Sequence, residues 1–357
     1  MTPDNDELFP AKGRLALKAI LGPISLIGHL RFRVINWSRI GSCVATYTAG
    51  VSTTDPAKRQ ASFRVVLMGL AIVAAAIVSY LFGVYSYPRG LWPIGALRGL
   101  GDTVREPGAR DDFGRLTAYP GKIPVACPPQ DERTAVILAM GQSNVANHGA
   151  RRETTRHGSH VVGYFDGKCH IAASPLLGAT SDGGEFLTML ADRLVDDGLY
   201  RTVVIVSSGV GASPISRWAR DGDLNASLSS RLRQLAANYR VTHVIWHQGE
   251  TDFANATTAD AYKVAFASLI GTLGEAGVEA PVFTSVSTRC AATWTAGNPI
   301  ALAQRALADG RRVVLATDAD ALLAPDDRTD GCHYSEAGQR KIAAAYAAAI
   351  RSSRSNH

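Results

Sequence analysis

The sequence predicts an α/β domain built on a parallel β-sheet with helices on both of its faces. Short apolar runs, rich in β-branched residues, alternate with longer segments in which apolar residues recur every three or four positions. A continuous apolar run is typical of a strand buried on both sides. The predicted strands are 134–140, 202–207, 242–246, 281–287 and 312–317, with a hairpin at 161–171, and the predicted helices are 185–197, 224–239, 258–276, 298–308 and 335–351.

An uncharged apolar segment precedes this domain. Residues 65–85 are 21 consecutive positions without a charge, and at about 1.5 Å per residue a helix of this length spans roughly the hydrocarbon core of a bilayer. Its length argues against a buried core helix, and its distance from the N-terminus argues against a cleaved signal peptide. We expect a single-pass anchor in the cell (inner) membrane, with a cytoplasmic N-terminus and the folded domain in the periplasm or outside the cell.

Charge is distributed unevenly along the chain. The formal net charge is +6 at pH 7, but residues 1–64 hold nine of the 37 basic residues and only four of the 31 acidic ones. The other 293 residues therefore carry a net charge of +1, which gives no electrostatic footprint for nucleic acid. The predicted organisation is a basic cytoplasmic arm (1–64), an anchor helix (65–87), a juxtamembrane linker rich in Gly and Pro (88–131), a folded domain (132–352) and a tail (353–357).

Four of the five cysteines follow the predicted anchor. An even number in an exported domain is compatible with two disulfides, and four cysteines allow three pairings. Buried free thiols are the alternative. The spacing does not match that of a zinc site, and we expect neither a metal nor a cofactor. The candidates for disulfide bonding are Cys127, Cys169, Cys290 and Cys332.

Polar residues follow the predicted strands, at the edge where an open parallel sheet forms its active site. The four blocks are Gly141-Gln142-Ser143-Asn144, Gly209 to Ile215 with Arg217-Trp218, His247-Gln248-Gly249-Glu250, and Asp330-Gly331-Cys332-His333. Taken singly, each block also fits an ordinary turn or helix cap. Acyl transfer needs a nucleophile, a base, a group that orients the base, and donors for the oxyanion. The blocks together contain all of these parts.

These blocks resemble the G-Q-S-N, G-x-x-x-I-x-x-W, H-Q-G-E and D-x-x-H motifs of the SGNH/GDSL hydrolase superfamily. Within it they are most similar to the sialate O-acetylesterase-like carbohydrate esterases, which include acetylxylan esterases. The resemblance covers about residues 132–352. It implies a flavodoxin-like three-layer α/β/α sandwich, with Ser143 as nucleophile, His333 as base and Asp330 as the partner that orients the base.

The resemblance also implies an oxyanion hole. The backbone N–H groups of Ser143 and of the Gly211–Ala212 turn would form it with the Gln248 side chain. The family usually has two glycines where this chain has Gly211-Ala212. An alanine keeps its N–H as a donor provided that φ stays negative, and its methyl group narrows the pocket. Weaker candidates for substrate binding are Gln142, Asn144, Arg217, Trp218 and Glu250.

Two of these candidates have an equally good structural interpretation, since Trp218 fits a core position and Glu250 a loop contact. Cys332 lies inside the loop that carries Asp330 and His333, and we expect it to tether that loop. A disulfide to Cys290, on the loop after the fourth predicted strand, would fix it.

The sequence therefore predicts a membrane-anchored serine esterase that acts without metal or cofactor. It would remove O-acetyl groups from an acetylated carbohydrate or polysaccharide through an acetyl-serine intermediate. One alternative is a polysaccharide O-acetyltransferase with the same triad, which passes the acetyl group to a sugar. Another is an anchored, non-catalytic glycan-binding module.

Overall fold

The computed structural model describes residues 56–86, 108–290 and 293–355. The chain divides into two units, Met1–Arg98 and Gly99–His357. The described part of the first unit is a 31-residue helix, α1 (Pro56–Ser86), in which Phe63 and the large apolar side chains between residues 66 and 82 are exposed. Most of the predicted arm (1–55) and residues 87–107 of the chain lie outside the described residues.

The structure gives no support to the predicted membrane anchor. In the ranges that the structure describes, no helix combines the length and the hydropathy needed to cross a membrane.

The second unit contains an eight-stranded sheet in the order β1-β4-β3-β5-β2-β6-β7-β8. Its strands are β1 (Pro124–Val125), β2 (Thr134–Gly141), β3 (Val161–Phe165), β4 (Lys168–Ile171), β5 (Thr202–Ser207), β6 (His243–His247), β7 (Val282–Val286) and β8 (Val313–Asp318). The six strands from β3 to β8 in sheet order are parallel, and β4 and β1 add an antiparallel edge. The predicted strands and hairpin are confirmed.

Helices cover both faces of the sheet, as the apolar strands predict. They are α2 (Leu187–Asp196), α3 (Asp223–Leu235), α4 (Glu250–Ala254), α5 (Ala259–Glu275), α6 (Pro299–Ala306), α7 (Ala319–Leu322) and α8 (Glu336–Ser355). Helices α2 and α8 share one apolar cluster with Ile137 and Ile205. Helices α3, α5 and α6 share another with Val136 and Val204. Neighbouring residues of one strand thus enter different clusters, which gives three α/β/α layers.

The folded domain begins earlier than predicted. Residues 108–131 belong to the predicted linker, yet Leu116 is fully buried, β1 pairs with β4, and Cys127 forms a disulfide with Cys169. The linker prediction is wrong for this stretch, because sheet pairing and a disulfide attach it to the domain. The predicted tail also differs, since residues 353–355 continue helix α8.

Candidate active site

A cavity of about 690 Å³ lies at the carboxyl ends of the central strands. Its lining includes Ser143 from the loop after β2, Gly211 from the loop after β5, Glu250 at the start of α4 after β6, and His333 from the loop before α8. The topology therefore brings one residue from each of the four predicted blocks to a single cavity, as expected for an open parallel sheet.

The turn that presents Ser143 depends on a glycine. Gly141 has a φ of +130°, and a Cβ atom there would lie 2.0 Å from the carbonyl oxygen of His247 on the neighbouring strand. Ser143 then begins a 3-10 turn, Ser143–Val145, and is 5% exposed. Because it begins the turn, its own N–H has no acceptor inside the turn.

His333 and Asp330 are joined side by side in one loop. His333 Nδ1 lies 2.7 Å from Asp330 Oδ2, and Asp330 Oδ1 accepts from the backbone N–H groups of Cys332 and His333 at 2.9 and 2.8 Å. Burial opposes ionisation of this carboxyl, but the hydrogen bonds from the backbone and the ring of His333 and from Cys332 outweigh it and lower the pKa of Asp330 to about 2. The carboxylate is therefore charged at neutral pH.

The same loop is held in place by a disulfide between Cys332 and Cys290. The buried Arg328 adds a hydrogen bond from Nη1 to the carbonyl oxygen of Cys332, 2.7 Å long. Asp330, Cys332 and His333 place possible ligand atoms within 4.8 Å of one another, but a disulfide sulfur cannot supply a thiolate. This group therefore does not make a metal site.

Asn144 joins the Ser143 turn to the His333 loop and does not face the cavity. Its Nδ2 donates to Glu250 Oε1 at 2.8 Å, and its Oδ1 accepts from the N–H of Tyr334 at 3.3 Å. Asn144 is 2% exposed, and its contacts tie the two loops together; its predicted role in substrate binding stays a prediction.

Glu250 is a buried acid that does line the cavity. Ser287 Oγ donates to the same Oε1 at 2.9 Å, whereas Oε2 has no hydrogen-bond partner in the described part of the chain. Burial raises the pKa of Glu250, against the hydrogen bond from Asn144. Glu250 thus both makes the predicted loop contact and lines the cavity.

Gln248 is fully buried and is absent from the cavity lining. Its Nε2 donates to the carbonyl oxygen of Ser213 and to the carboxylate of Asp252, and its Oε1 accepts from the hydroxyl of Tyr262. Both amide hydrogens thus have acceptors inside the protein, and the role of the Gln248 side chain in the oxyanion hole stays a prediction.

Gln142 lines the cavity instead. Its Oε1 accepts from the backbone N–H groups of Gly249 and Thr251 at 3.3 and 3.1 Å, and Gln248 Nε2 lies 3.2 Å from the same oxygen. Backbone N–H groups can only donate, so they fix which end of the amide is oxygen. The remaining –NH₂ group of Gln142 is therefore a side-chain donor at the cavity wall.

The Gly211–Ala212 turn differs from expectation at both residues. Ala212 has a φ of +53°, so the condition of a negative φ that was set for its N–H to act as a donor is not met. The N–H of Gly211 donates to Thr180 Oγ1 at 2.8 Å. Gly211 and Ala212 both line the cavity, but the N–H of Gly211 already has Thr180 Oγ1 as its acceptor.

Trp218 fills the core of the domain. Its side chain is fully buried, its ring makes an edge contact with Trp246, and its Nε1 donates to Ser213 Oγ at 2.9 Å. The indole belongs to the apolar cluster, which fits the core position that the sequence offered as the alternative to a sugar contact. Arg217 does line the cavity, with its guanidinium paired to Asp223 through bonds of 2.9 and 2.6 Å.

Phe113, His148 and Thr180 are among the cavity residues that have no counterpart in the sequence prediction. The ring of His148 stacks on that of His333, with centroids 5.2 Å apart. Burial, and then the charge of His333, lower the pKa of His148 to about 4. His148 lies five residues after Ser143, and this closeness in sequence could have indicated a place in the site. Phe113 and Thr180 lie in segments without a motif.

The three α/β/α layers, with the cavity at the carboxyl ends of the parallel strands, define an enzyme of the α/β class. The chain belongs to the family described as carbohydrate esterase, sialic acid-specific acetylesterase, whose model matches residues 133–352. It is therefore a carbohydrate esterase. No curated protein gives a significant sequence match.

Solved structures resemble the chain at low sequence identity. A protein from Arabidopsis thaliana is 18% identical, with a TM-score of 0.50, over 64% of this chain and 99% of that one. NanS is 16% identical, with a TM-score of 0.47, over 64% and 100%. A carbohydrate acetylesterase from Xanthomonas citri is 17% identical, with a TM-score of 0.44, over 62% and 57%. The first of these supports the fold.

Proposed function

We propose that this chain hydrolyses O-acetyl esters of a carbohydrate through an acetyl-serine intermediate. The observation that carries the proposal is that Ser143 and His333, the latter held by Asp330, line one cavity. The cavity volume of about 690 Å³ suits a sugar-sized ligand. The family of the chain and the carbohydrate acetylesterase among the similar structures support an acetylated sugar as substrate.

The proposed reaction begins with attack of Ser143 Oγ on the acetyl carbonyl carbon. His333 uses Nδ1 to bind Asp330, so Nε2 is the ring atom that takes the serine proton. The tetrahedral intermediate collapses, the carbon–oxygen bond to the sugar breaks, and His333 returns the proton to the sugar oxygen. Water then attacks the acetyl-serine by the same route and releases acetate.

Charge on the carbonyl oxygen needs donors that are in place beforehand. We propose the N–H of Ser143 and the –NH₂ of Gln142 for this role, with Gln142 in place of the Gln248 side chain predicted from the sequence. Phe113, Arg217 and Glu250 line the rest of the cavity. They supply an apolar face, a paired cation and a buried carboxyl for contacts to the sugar.

The test uses the full chain purified in mild detergent. Ser143→Ala should abolish release of acetate from acetylated xylan and hydrolysis of p-nitrophenyl acetate, because the nucleophile is removed. Ser230→Ala is the matched control, since Ser230 is an exposed residue of α3, and it should keep wild-type rates. Equal rates for Ser143→Ala and wild type would show that the nucleophile is wrongly assigned.

We also propose that the domain is exported and remains attached to the cell membrane. Disulfides persist in oxidising compartments, and the domain has two, Cys127–Cys169 and Cys290–Cys332. Attachment rests on the uncharged sequence of residues 65–85 alone. Alkaline extraction of membranes should leave the protein in the pellet, and protease added to spheroplasts should remove the domain. Recovery in the alkaline supernatant would contradict the anchor.

A further inference from the structure

The backbone N–H of Gly211 is directed at a side chain. It donates to Thr180 Oγ1 at 2.8 Å. A Cβ atom on Gly211 would lie 2.9 Å from His148 Nε2 and 3.3 Å from Thr180 Oγ1, so these two side chains close against the glycine. One amide hydrogen makes one good hydrogen bond, and this N–H is therefore occupied.

Thr180 itself is held from its backbone. Its N–H donates to the carbonyl oxygen of Gly209 at 3.1 Å, and its carbonyl oxygen accepts from Asn147 Nδ2 at 3.3 Å. A β-branched side chain has few rotamers. The hydroxyl oxygen is thus fixed at the cavity wall that Thr180 shares with Ser143 and His333.

In the contact with Gly211 the hydroxyl of Thr180 accepts, so its hydrogen is left to donate elsewhere. The nearby ring nitrogen is His148 Nε2, 3.5 Å from Oγ1, and this distance is long for a hydrogen bond from a hydroxyl. Acceptance of the Gly211 N–H polarises the O–H bond and makes it a better donor. The hydrogen can turn toward a stronger acceptor in the cavity.

We infer that the Thr180 hydroxyl donates to the oxyanion in place of the Gly211 amide. The Gly211 N–H remains on Thr180 Oγ1, and the Thr180 O–H points to the negative oxygen of the tetrahedral intermediate. This inference rests on the proposed acetyl-serine mechanism. It makes Thr180 a catalytic residue that stabilises charge present only in the intermediate and its transition states, so its loss lowers kcat and leaves KM largely unchanged.

The test compares Thr180→Val, which keeps the shape and removes the donor, with Thr180→Ser, which keeps the donor. With p-nitrophenyl acetate, Thr180→Val should lower kcat about 100-fold at nearly constant KM, the size typical of a lost oxyanion donor. Thr180→Ser should stay within about threefold of wild type, because the hydroxyl remains. Unchanged melting temperatures for both variants establish that the fold is intact.

A kcat within threefold of wild type for Thr180→Val would overturn the inference, as would a raised kcat for Thr180→Ala. A raised kcat would mean that the hydroxyl blocks the Gly211 N–H. Ser143→Ala, assayed in parallel, separates the two proposals. An inactive Ser143→Ala beside a fully active Thr180→Val rejects only the role of Thr180, whereas an active Ser143→Ala rejects the proposed function itself.

Discussion

At residue 212 the chain has an alanine in a backbone conformation that glycine adopts more readily. Ala212 has a φ of +53° and is exposed at the cavity rim. In the left-handed region the Cβ atom approaches the following carbonyl oxygen, which costs about 1 kcal/mol for an L-residue. The conformation persists because neighbouring residues are fixed, including Gly211 by Thr180 and Ser213 by its hydrogen bond to Val210.

Ala212→Gly should therefore stabilise the domain by about 0.5–1 kcal/mol, since relief of strain exceeds the added entropy of the unfolded chain. Guanidinium unfolding of the full chain measures the difference. Ala226→Gly is the control, because Ala226 is an exposed residue inside α3, where glycine should destabilise by about 0.5–1 kcal/mol. Destabilisation by both substitutions would contradict the strain at residue 212.

Gln142 offers a second test at the scale of one residue. Gln142→Glu keeps the oxygen that accepts from Gly249 and Thr251 and replaces the –NH₂ group by a second carboxyl oxygen. Loss of the donor should lower kcat about 100-fold or more. The measurement is kcat for p-nitrophenyl acetate with a melting curve for each protein. A variant with wild-type kcat would exclude Gln142 from the oxyanion hole.

At the scale of elements, the site depends on loops that are joined to one another. The Ser143 turn, the start of α4 and the His333 loop meet through Asn144 and Glu250, and the disulfide from Cys290 to Cys332 holds the last of these loops. The second disulfide, Cys127–Cys169, lies at the β1–β4 edge of the sheet. The two disulfides thus have different expected effects on activity.

Their equal spacing provides a matched comparison. Each disulfide joins cysteines 42 positions apart, so removing either by paired Cys→Ser substitution should cost a similar free energy of unfolding, about 4 kcal/mol. Only Cys290→Ser/Cys332→Ser should also lower kcat, by about tenfold or more, because His333 loses its fixed position. Rates are measured in the cold, where both proteins remain folded. Equal kcat values for the two double variants would contradict the role of the loop tether.

At the scale of the whole molecule, the layered fold was predictable because its signal is local. Continuous apolar strands between amphipathic helices specify burial on both faces, and every predicted strand is present to within one residue of each end. The start of the domain was not predictable in this way. Residues 108–131 are attached by strand pairing and by the bond from Cys127 to Cys169, which are contacts between segments distant in sequence.

The sequence predicts which loops form the site, but it does not predict which side chains of those loops face the cavity. Blocks at strand ends bring Ser143 and His333 to one cavity, because parallel strands end at the same edge. Which side of a loop points inward depends on its neighbours. Asp252 and Ser213 bind Gln248 inside the protein, and Thr180 reaches the cavity from a segment with no motif.

The central claim is that Ser143 is the nucleophile, and active-site labelling tests it most directly. A fluorophosphonate reacts with an activated serine: the serine oxygen attacks phosphorus and fluoride leaves. We predict one label per chain, located on Ser143 by peptide mass spectrometry, with esterase activity falling in proportion to labelling. His333→Ala should react far more slowly, since its serine is no longer activated. Loss of activity with the label on another residue, or full activity after Ser143 is labelled, would contradict the account.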